Sequence, residues 1–310
     1  MPVRNSHYAR GSASTAPQRQ FCPEWWGLTT WLDAVLQNAP ATPYLINIGA
    51  SDKGAKLGAA NADAVGLRMD NTSFRGFAAD PGHWRIYGER KNPNVVTART
   101  AVTPSNIVSL LDAARAPADP HLLKVDIDSY DADVVRAVLT TRQPTFIFVE
   151  LNEKIPPPLS LCFHYRAWSP LHFWHRGGHH YGCSLSAYSE LLRGLGYSFV
   201  SVILNDALYV RTERAAAAGF GRGRKCRLPR SVMKAYRSGY SELPQRKELF
   251  PWNSEVDSWL DESTPLPARH AAVANFFWLD TLLGFAELKP LPASRRTPLP
   301  RDYVKWLEGK

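Results

Sequence analysis

The apolar residues of this chain follow two alternating spacings, and the alternation predicts an α/β protein. Short apolar runs, typical of buried strands, are separated by segments in which apolar residues recur every three or four positions, as on one face of a helix. The predicted strands are 44–48, 74–79, 95–97, 122–127 and 145–149. Because strands that alternate with helices form a parallel sheet with helices on both faces, we expect one mostly parallel sheet.

Beyond the fifth predicted strand the pattern changes to strict alternation of apolar and polar residues. It covers Ser198–Leu204 and Ala207–Val210, and the turn-forming pair Asn205-Asp206 joins the two runs. Two alternating runs joined by such a pair predict an antiparallel hairpin. We expect this hairpin to close one edge of the sheet.

Composition divides the chain into three parts. Residues 1–22 hold mostly Ser, Ala, Pro, Gln and Arg, so we expect a disordered tail, although Arg and Ser without acidic residues also leave a transit peptide open. Residues 23–212 carry the alternating pattern and are predicted to form the α/β domain. Residues 213–310 begin with an Ala-, Gly- and Arg-containing stretch and then show short helical patterns, which predict a connector and a helical C-terminal extension.

Two of the predicted strands end in acidic residues. The fourth leads to Asp126 and Asp128, and the fifth leads to Glu150. Open α/β sheets bind ligands at the carboxyl ends of their strands, so we expect a functional site here. Asp128 and Glu150 are candidate proton acceptors, and two neighbouring carboxylates with Asn152 are candidate oxygen ligands for Mg²⁺.

The first predicted strand runs into a glycine-containing loop, Gly49–Gly54, and then into an Ala-rich helical stretch. A glycine at this point lets the backbone approach a ligand closely. The loop matches neither GxGxxG nor a P-loop. The second predicted strand ends at Asp80, which either binds ribose hydroxyls or forms a plain Asp-Pro-Gly turn. The separation of Gly49 from Asp80 is longer than in the dinucleotide fingerprint, which argues against a dehydrogenase.

Residues 153–183 are predicted to form one long irregular loop, and such loops are usually lids or binding loops. The loop is rich in aromatic residues and histidines. Its histidines and Cys183 either bind a metal or pack within a pocket, and their spacing matches no standard metal site. Because imidazole titrates near neutral pH, a histidine of this loop is also a candidate general base, and His180 is the one we assign.

Charge and cysteine content bear on partners and compartment. The formal net charge of +9 includes a basic segment at 222–237, which is either a solvated face or a binding segment for an acidic partner; nucleic acid is not the expected partner. The four cysteines lie far apart without a CxxC pair, so we expect a reducing compartment and a cytoplasmic protein. No apolar run approaches the ~20 residues of a membrane span.

Several of these segments together resemble the class I S-adenosylmethionine-dependent methyltransferases, and among them the FkbM-like proteins. Ile46–Gly54 is similar to the family's Asp-x-Gly-Ala-Asn-x-Gly loop, and Leu122–Asp128 is similar to its Leu-Lys-Ile-Asp strand. Phe146–Glu150 and Gly182–Leu185 add to the resemblance, which covers about residues 44–212. It implies a Rossmann-like methyltransferase sheet, mostly parallel, that ends in an antiparallel hairpin.

The resemblance also implies contacts to S-adenosylmethionine from the ends of the first four strands. The loop after the first strand would hold the methionine part, the second strand the ribose, the segment after the third strand the adenine, and the fourth strand the methyl end. The residues so assigned are Asn47, Gly49, Ala50, Ser51, Asp80, Ala101 and Asp126. The chain has Asn47 where the family usually has an acidic residue, and residues 128–131 replace the commoner Glu-Gly-Ala-Glu.

The activity that the resemblance implies is methyl transfer from S-adenosylmethionine to an oxygen of a small molecule or sugar. The sulfonium is already activated, so the protein mainly positions the partners and supplies a base, for which Asp128, Glu150 and His180 are the candidates. Two alternatives stay open. A non-catalytic methyltransferase-like protein would use the basic segment 222–237 to bind a partner, and a metal-dependent hydrolase would use the same α/β scaffold.

Overall fold

The computed structural model describes most of the predicted α/β domain and most of the extension. The described residues are 36, 42–52, 63–167, 180–221, 227–244 and 246–292. The predicted tail at 1–22, the first part of the basic segment 222–237, and the loop residues His172, His175 and His179 lie outside them.

The described strands form one large sheet and one small sheet. They are β1 (Tyr44–Ile48), β2 (Arg75–Ala79), β3 (Val95–Ala98), β4 (Leu122–Val125), β5 (Phe146–Glu150), β6 (Leu161–Phe163), β7 (Tyr197–Ile203), β8 (Asp206–Arg211) and β9 (Ala286–Leu288). The large sheet has the order β3-β2-β1-β4-β5-β8-β7. Its first five strands are parallel, whereas β8 is antiparallel to both β5 and β7.

This arrangement confirms the predicted fold class, a mostly parallel Rossmann-like methyltransferase sheet with an antiparallel hairpin at one edge. The link from β2 to β3, which lies wholly within the described residues, contains no helix. The other parallel strands are connected by helices, and helices cover both faces of the sheet. They are α1 (Ala64–Met69), α2 (Ile107–Ala113), α3 (Asp131–Leu139) and α4 (Leu185–Gly194), followed in the extension by α5 (Val232–Tyr236), α6 (Arg246–Leu249), α7 (Asp257–Leu260), α8 (Leu266–Phe276) and α9 (Trp278–Leu282). The extension is therefore helical over much of its described length, as predicted.

Alternation along the strands divides the core in two. In β4, Leu123 and Val125 face the core that α2, α3 and α4 cover, whereas Leu122 faces the core that α1 covers. Lys124 has the same parity as Leu122, so this cation lies within the buried α1 face of the sheet. Polar groups near the carboxyl ends of β1, β4 and β5 share that face and meet there.

The hairpin turn lies one residue earlier than predicted. Ile203 pairs directly with Asp206, so the two turn residues are Leu204 and Asn205. Leu204 adopts a left-handed conformation with φ of 56°. Asp206 is instead the first residue of β8 and pairs with Glu150 of β5. The prediction of an Asn205-Asp206 turn was wrong because pairing with β5, invisible in the local sequence, takes Asp206 into the strand.

The region predicted as one irregular loop, 153–183, contains strand β6. It pairs antiparallel with β9 of the extension, so the second sheet joins the α/β domain to its C-terminal segment. Within the same region Cys162 and Cys183 form a disulfide. The sequence analysis gave no indication of this bond, because the two cysteines are 21 positions apart in the chain and only the fold brings them opposite each other.

Candidate functional site

Three carboxylates meet where β4 and β5 end. Val125 and Val149 are register partners in these parallel strands, so Asp126 and Asp128 emerge beside Glu150. One carboxylate oxygen from each of the three lies within 4.8 Å of the other two. The structure thus brings together three residues that the sequence predicted at the strand ends.

Glu150 is the buried member of this group, with 6% of its surface exposed. The amide Nδ2 of Asn205 donates to its Oε1 at 3.0 Å. Its Oε2 is buried and has no hydrogen-bond partner among the described residues. Burial, followed by the charges of Asp128 and Asp126, raises the pKa of Glu150 well above its usual value. Protonation of Glu150 or binding of a cation would reduce the repulsion among these carboxylates.

Asp206 adds a fourth carboxylate to this end of the sheet. It is the β8 partner of Glu150 in the antiparallel ladder. Burial and then the charge of Asp126 raise its pKa well above the usual value, although Lys124 opposes the shift. Asp206 was not predicted as a site residue, because the sequence pattern places it in a turn.

The turn that presents Asp128 is held by Asp131, the first residue of α3. Its Oδ1 accepts from the Ile127 N–H at 2.9 Å, and its Oδ2 accepts from the Ser129 N–H at 3.0 Å. Asp128 itself is exposed and left-handed, with φ of 55°. Burial raises the pKa of Asp131 to about 6. The second aspartate of the Asp-Ser-Tyr-Asp segment therefore shapes the turn, and the first is exposed at the carboxylate group.

A buried cation lies next to the carboxylate group. Lys124 Nζ is 2.8 Å from Asp126 Oδ2 and 3.4 Å from Asp63 Oδ2. Burial lowers the pKa of Lys124, but these two carboxylates outweigh burial and raise it overall. Asn47 Nδ2 donates to the same Asp63 oxygen at 2.7 Å. Asp63 and Lys124 were not predicted; the only sequence signal was a lysine inside an apolar strand.

Asn47 offers one further atom at the end of β1. Its Oδ1 is buried and, within the described residues, has no hydrogen-bond partner. The Asp63 carboxylate beside it accepts from Asn47 Nδ2 and pairs with Lys124. A buried acceptor next to a carboxylate fits a ligand that carries an ammonium group, as the methionine part of S-adenosylmethionine does.

The glycine loop is held against both neighbouring strands. Gly49 adopts φ of 82°, and its N–H donates to Ala79 O at 2.9 Å. Any Cβ at this position would collide with the carbonyl oxygen of Asp126. The Ala50 N–H also donates to Ala79 O, and Ser51 forms a bridge with Ile86. The space on the Cβ side of Gly49 is thus filled by the backbone of Asp126, and the role of Gly49 in cofactor binding stays a prediction.

The residues predicted to contact ribose and adenine lie at the same carboxyl edge of the sheet, after β2 and β3. Asp80 Oδ1 accepts from the Gly82 N–H at 2.7 Å, which is the bond of an Asp-Pro-Gly turn. Ala101 O accepts from Asn106 Nδ2 at 2.9 Å and so helps to fix the start of α2. One oxygen of Asp80 is therefore used by the turn. The roles of both residues in cofactor binding stay predictions.

His180 packs among aromatic side chains of β6 and of the extension. Its ring lies 5.7 Å from that of Phe163 and 5.4 Å from that of Phe277, centroid to centroid, and its Nδ1 is 3.3 Å from Asp280 Oδ1. These contacts match the packing alternative for the loop histidines. They lend no geometric support to the prediction that His180 is a base at the carboxylate group.

Asn152 binds the loop that follows residue 179 with its backbone and its side chain. Its N–H donates to Cys183 O at 2.9 Å, and its Nδ2 donates to Tyr181 O at 3.1 Å. It lies two residues beyond Glu150, the buried member of the carboxylate group. A role for Asn152 as a third metal ligand stays a prediction, and its observed contacts are those of a residue that holds this loop.

A buried polar network continues from this point into the extension. Tyr181 OH donates to Glu153 Oε2 at 2.5 Å, and Lys154 Nζ donates to Tyr181 OH at 2.7 Å. Asn253 Nδ2 donates to Glu153 Oε1 at 3.1 Å, and Tyr236 OH donates to Glu153 O at 2.7 Å. Burial lowers the pKa of Lys154 despite the neighbouring Glu153 carboxylate. The extension thus contacts the segment that follows the β5 carboxylate.

No protein-family model and no curated protein matches the chain. Among solved structures the chain is similar to MycE methyltransferase from the mycinamycin biosynthetic pathway, which was solved in complex with Mg and SAH. The identity is 10%, the match covers 67% of this chain and 48% of that chain, and the TM-score is 0.25. The chain therefore spans about half the length of that protein.

The described helices are all shorter or more polar than a membrane-spanning helix has to be.

Proposed function

We propose that the chain is an S-adenosylmethionine-dependent methyltransferase that acts on an oxygen of a small molecule or sugar, and that its site is the carboxylate group Asp126, Asp128 and Glu150. One observation carries the proposal. In a sheet of the β3-β2-β1-β4-β5 order, these three carboxylates lie together at the strand ends beside the glycine loop, and one oxygen of the buried Glu150 is unsatisfied. Ligands of open α/β sheets bind at this edge.

The same group is proposed to hold a divalent cation. Carboxylate oxygens are the ligands that Mg²⁺ and Ca²⁺ prefer, and three of them lie within 4.8 Å of one another. Burial, followed by repulsion from Asp128 and Asp126, raises the pKa of Glu150, and a bound cation would offset both effects. When bound, such an ion supplies Lewis acidity toward the acceptor oxygen.

The residues of the chain have separate parts in this proposal. S-adenosylmethionine supplies an activated methyl group when bound, so positioning is the main task of the protein. Asn47 Oδ1, which has no hydrogen-bond partner among the described residues, would accept a hydrogen bond from its ammonium group. Asp128, exposed on its left-handed turn, would accept the proton of the acceptor hydroxyl. Glu150 would hold a proton or bind the cation.

Two titrations test the parts of the proposal separately. The first measures S-adenosylmethionine binding by calorimetry, with and without Mg²⁺. The second measures Tb³⁺ luminescence as a probe of the cation site, in wild type and in the Asp128→Asn and Glu150→Gln variants. We expect cation affinity to fall by more than about tenfold in both variants, since even the loss of an outer-shell partner costs that much.

Asp112→Asn is the matched control, because Asp112 lies on α2 and pairs with Arg142 away from the carboxylate group. Equal Tb³⁺ affinity in the control and the two site variants would exclude the cation site. No heat from S-adenosylmethionine with folded wild type would reject methyl transfer and favour the non-catalytic alternative, whatever the cation result.

A further inference from the structure

A second feature of the molecule is a cavity of about 120 Å³ between α3, α4 and the β6–β9 sheet. Cys162 of β6 and the flanking residues Ser160 and His164 line it together with Arg136 and Lys289. A cavity of roughly 150 Å³ is large enough for benzene, so this one admits a molecule with a few heavy atoms. Its location separates it from the carboxylate group.

The cavity reaches one sulfur-bearing residue of the disulfide. Cys162 lines its wall and is 9% exposed, whereas its partner Cys183 is 0% exposed. A nucleophile that enters the cavity therefore meets Cys162 first. Thiolates are the nucleophiles that cleave disulfides, and attack depends on access to one of the two sulfurs.

The disulfide fixes a loop that holds both turns of the carboxylate group. The Gly182 N–H donates to Ser129 O at 2.6 Å, next to Asp128. Cys183 O accepts from the Asn152 N–H at 2.9 Å, two residues beyond Glu150. The segment around Gly182 and Cys183 is thus bonded to the ends of both β4 and β5. The covalent link from Cys183 to β6 adds to two backbone hydrogen bonds between the same segments, from Phe163 N–H to Gly182 O and from Ser184 N–H to Leu161 O.

We propose that Cys162–Cys183 is a thiol-reducible link, that the cavity admits the reducing thiol, and that reduction loosens the carboxylate group. A small thiolate forms a bond to Cys162 Sγ while the bond between the two cysteine sulfurs breaks, and Cys183 leaves as a thiolate that takes up a proton. A second thiol then attacks the mixed disulfide. Cys162 is released as a thiol, and the two thiols leave as their own disulfide, having supplied two electrons. This inference does not depend on methyl transfer.

The test uses the full chain with Cys22→Ser and Cys226→Ser, so that Cys162 and Cys183 are the two cysteines that remain. The folded protein is treated with 2-mercaptoethanol, quenched with iodoacetamide and mapped by mass spectrometry. We expect the first 2-mercaptoethanol adduct on Cys162 and alkylation on Cys183. Hydrogen exchange of the reduced protein should speed up severalfold in peptides spanning 126–131, 150–154 and 180–184, and should stay unchanged in β2 and β3.

Two variants complete the test. Cys162→Ser should show the faster exchange without any thiol, whereas Ser160→Ala, in the same cavity wall, should behave like the parent. Free thiols in the untreated protein, a first adduct on Cys183, or unchanged exchange after reduction would each overturn the proposal. Should Cys162→Ser fail to fold, the reduction of the parent protein decides the matter by itself.

Discussion

The carboxyl edge of the sheet has two halves that differ in how their polar groups are satisfied. At β1 to β3, backbone and side-chain bonds within the chain already use most of them, such as Gly49 N–H to Ala79 O and Gly82 N–H to Asp80. At β4, β5 and β8, four carboxylates accumulate, and burial together with like charge raises the pKa of Glu150 and Asp206. Close packing defines the first half of the edge, and carboxylates that repel one another define the second.

The first half should therefore respond to volume. Gly49→Ala places a Cβ against the Asp126 carbonyl oxygen and forces a left-handed φ on alanine, so we expect the free energy of unfolding to fall by about 4 kcal/mol in urea titrations. Gly194→Ala is the control, because nothing lies within 4 Å of its added Cβ in α4 and helix propensity favours alanine by up to about 1 kcal/mol.

Equal stability of the two variants would contradict the close contact between β1 and β4. The same geometry limits what a Gly49 variant can reveal about a cofactor. A large residue at this position would break the strand contact itself, so lost S-adenosylmethionine binding would not locate the binding site.

The sheet was predictable because each strand shows its burial locally. The mostly apolar runs at β1, β4 and β5 have the composition and length of strands covered on both faces, and the turn residues between them mark their ends. Strand β6 is three residues long, Leu161–Phe163, and its partner β9 lies more than a hundred residues away in the chain. No local pattern could reveal that pairing, or the disulfide beside it.

The two halves of the edge are joined by Lys124, and its removal should have the next largest effect. Lys124→Met leaves the Asp63 and Asp126 carboxylates without their buried cation, so we expect the free energy of unfolding to fall by about 3 kcal/mol at pH 7. Lys91→Met is the matched control, since Lys91 pairs with Asp70 from an exposed position and should change stability by less than about 0.5 kcal/mol.

A double-mutant cycle with Asp126→Asn, measured by chemical denaturation at pH 7, checks this reasoning. Lys124→Met should cost less once the Asp126 carboxylate is gone. A cost that is the same with and without that carboxylate would mean that lost packing of the lysine stem, and not the ion pair, explains the effect.

The sequence predicts only those carboxylates of the candidate site that lie at the end of an apolar run. Asp126, Asp128 and Glu150 end apolar runs, and a parallel sheet brings such ends together. Asp63 and Asp206 come from a helix cap and a hairpin strand, whose position over the sheet depends on tertiary packing. His180 was assigned by residue type alone, and its ring packs among aromatic residues instead.

The smallest expected effect concerns Glu150, because this carboxyl group can escape repulsion by taking up a proton. Its pKa is raised above the usual 4.5, so the folded state holds the proton more tightly than the unfolded state. The resulting stability is fully present below pH 4.5 and is lost as the pH rises through the folded pKa. Glu150→Gln removes this loss, so we expect the variant to exceed wild type by on the order of 1 kcal/mol at pH 8 and to match it at pH 4.

Urea titrations between pH 4 and pH 8 measure the difference in the free energy of unfolding between wild type and Glu150→Gln. Asp131 and Asp206 are present in both proteins, so their contributions cancel in this difference. Added Mg²⁺ should reduce this stability difference at pH 8. A cation at the carboxylate group stabilises wild type, with its charged glutamate, more than it stabilises the glutamine variant. Parallel stability curves would mean that Glu150 is solvated or paired in the folded protein. The charged half of the edge would then be as satisfied as the packed half, and the contrast between them would fail.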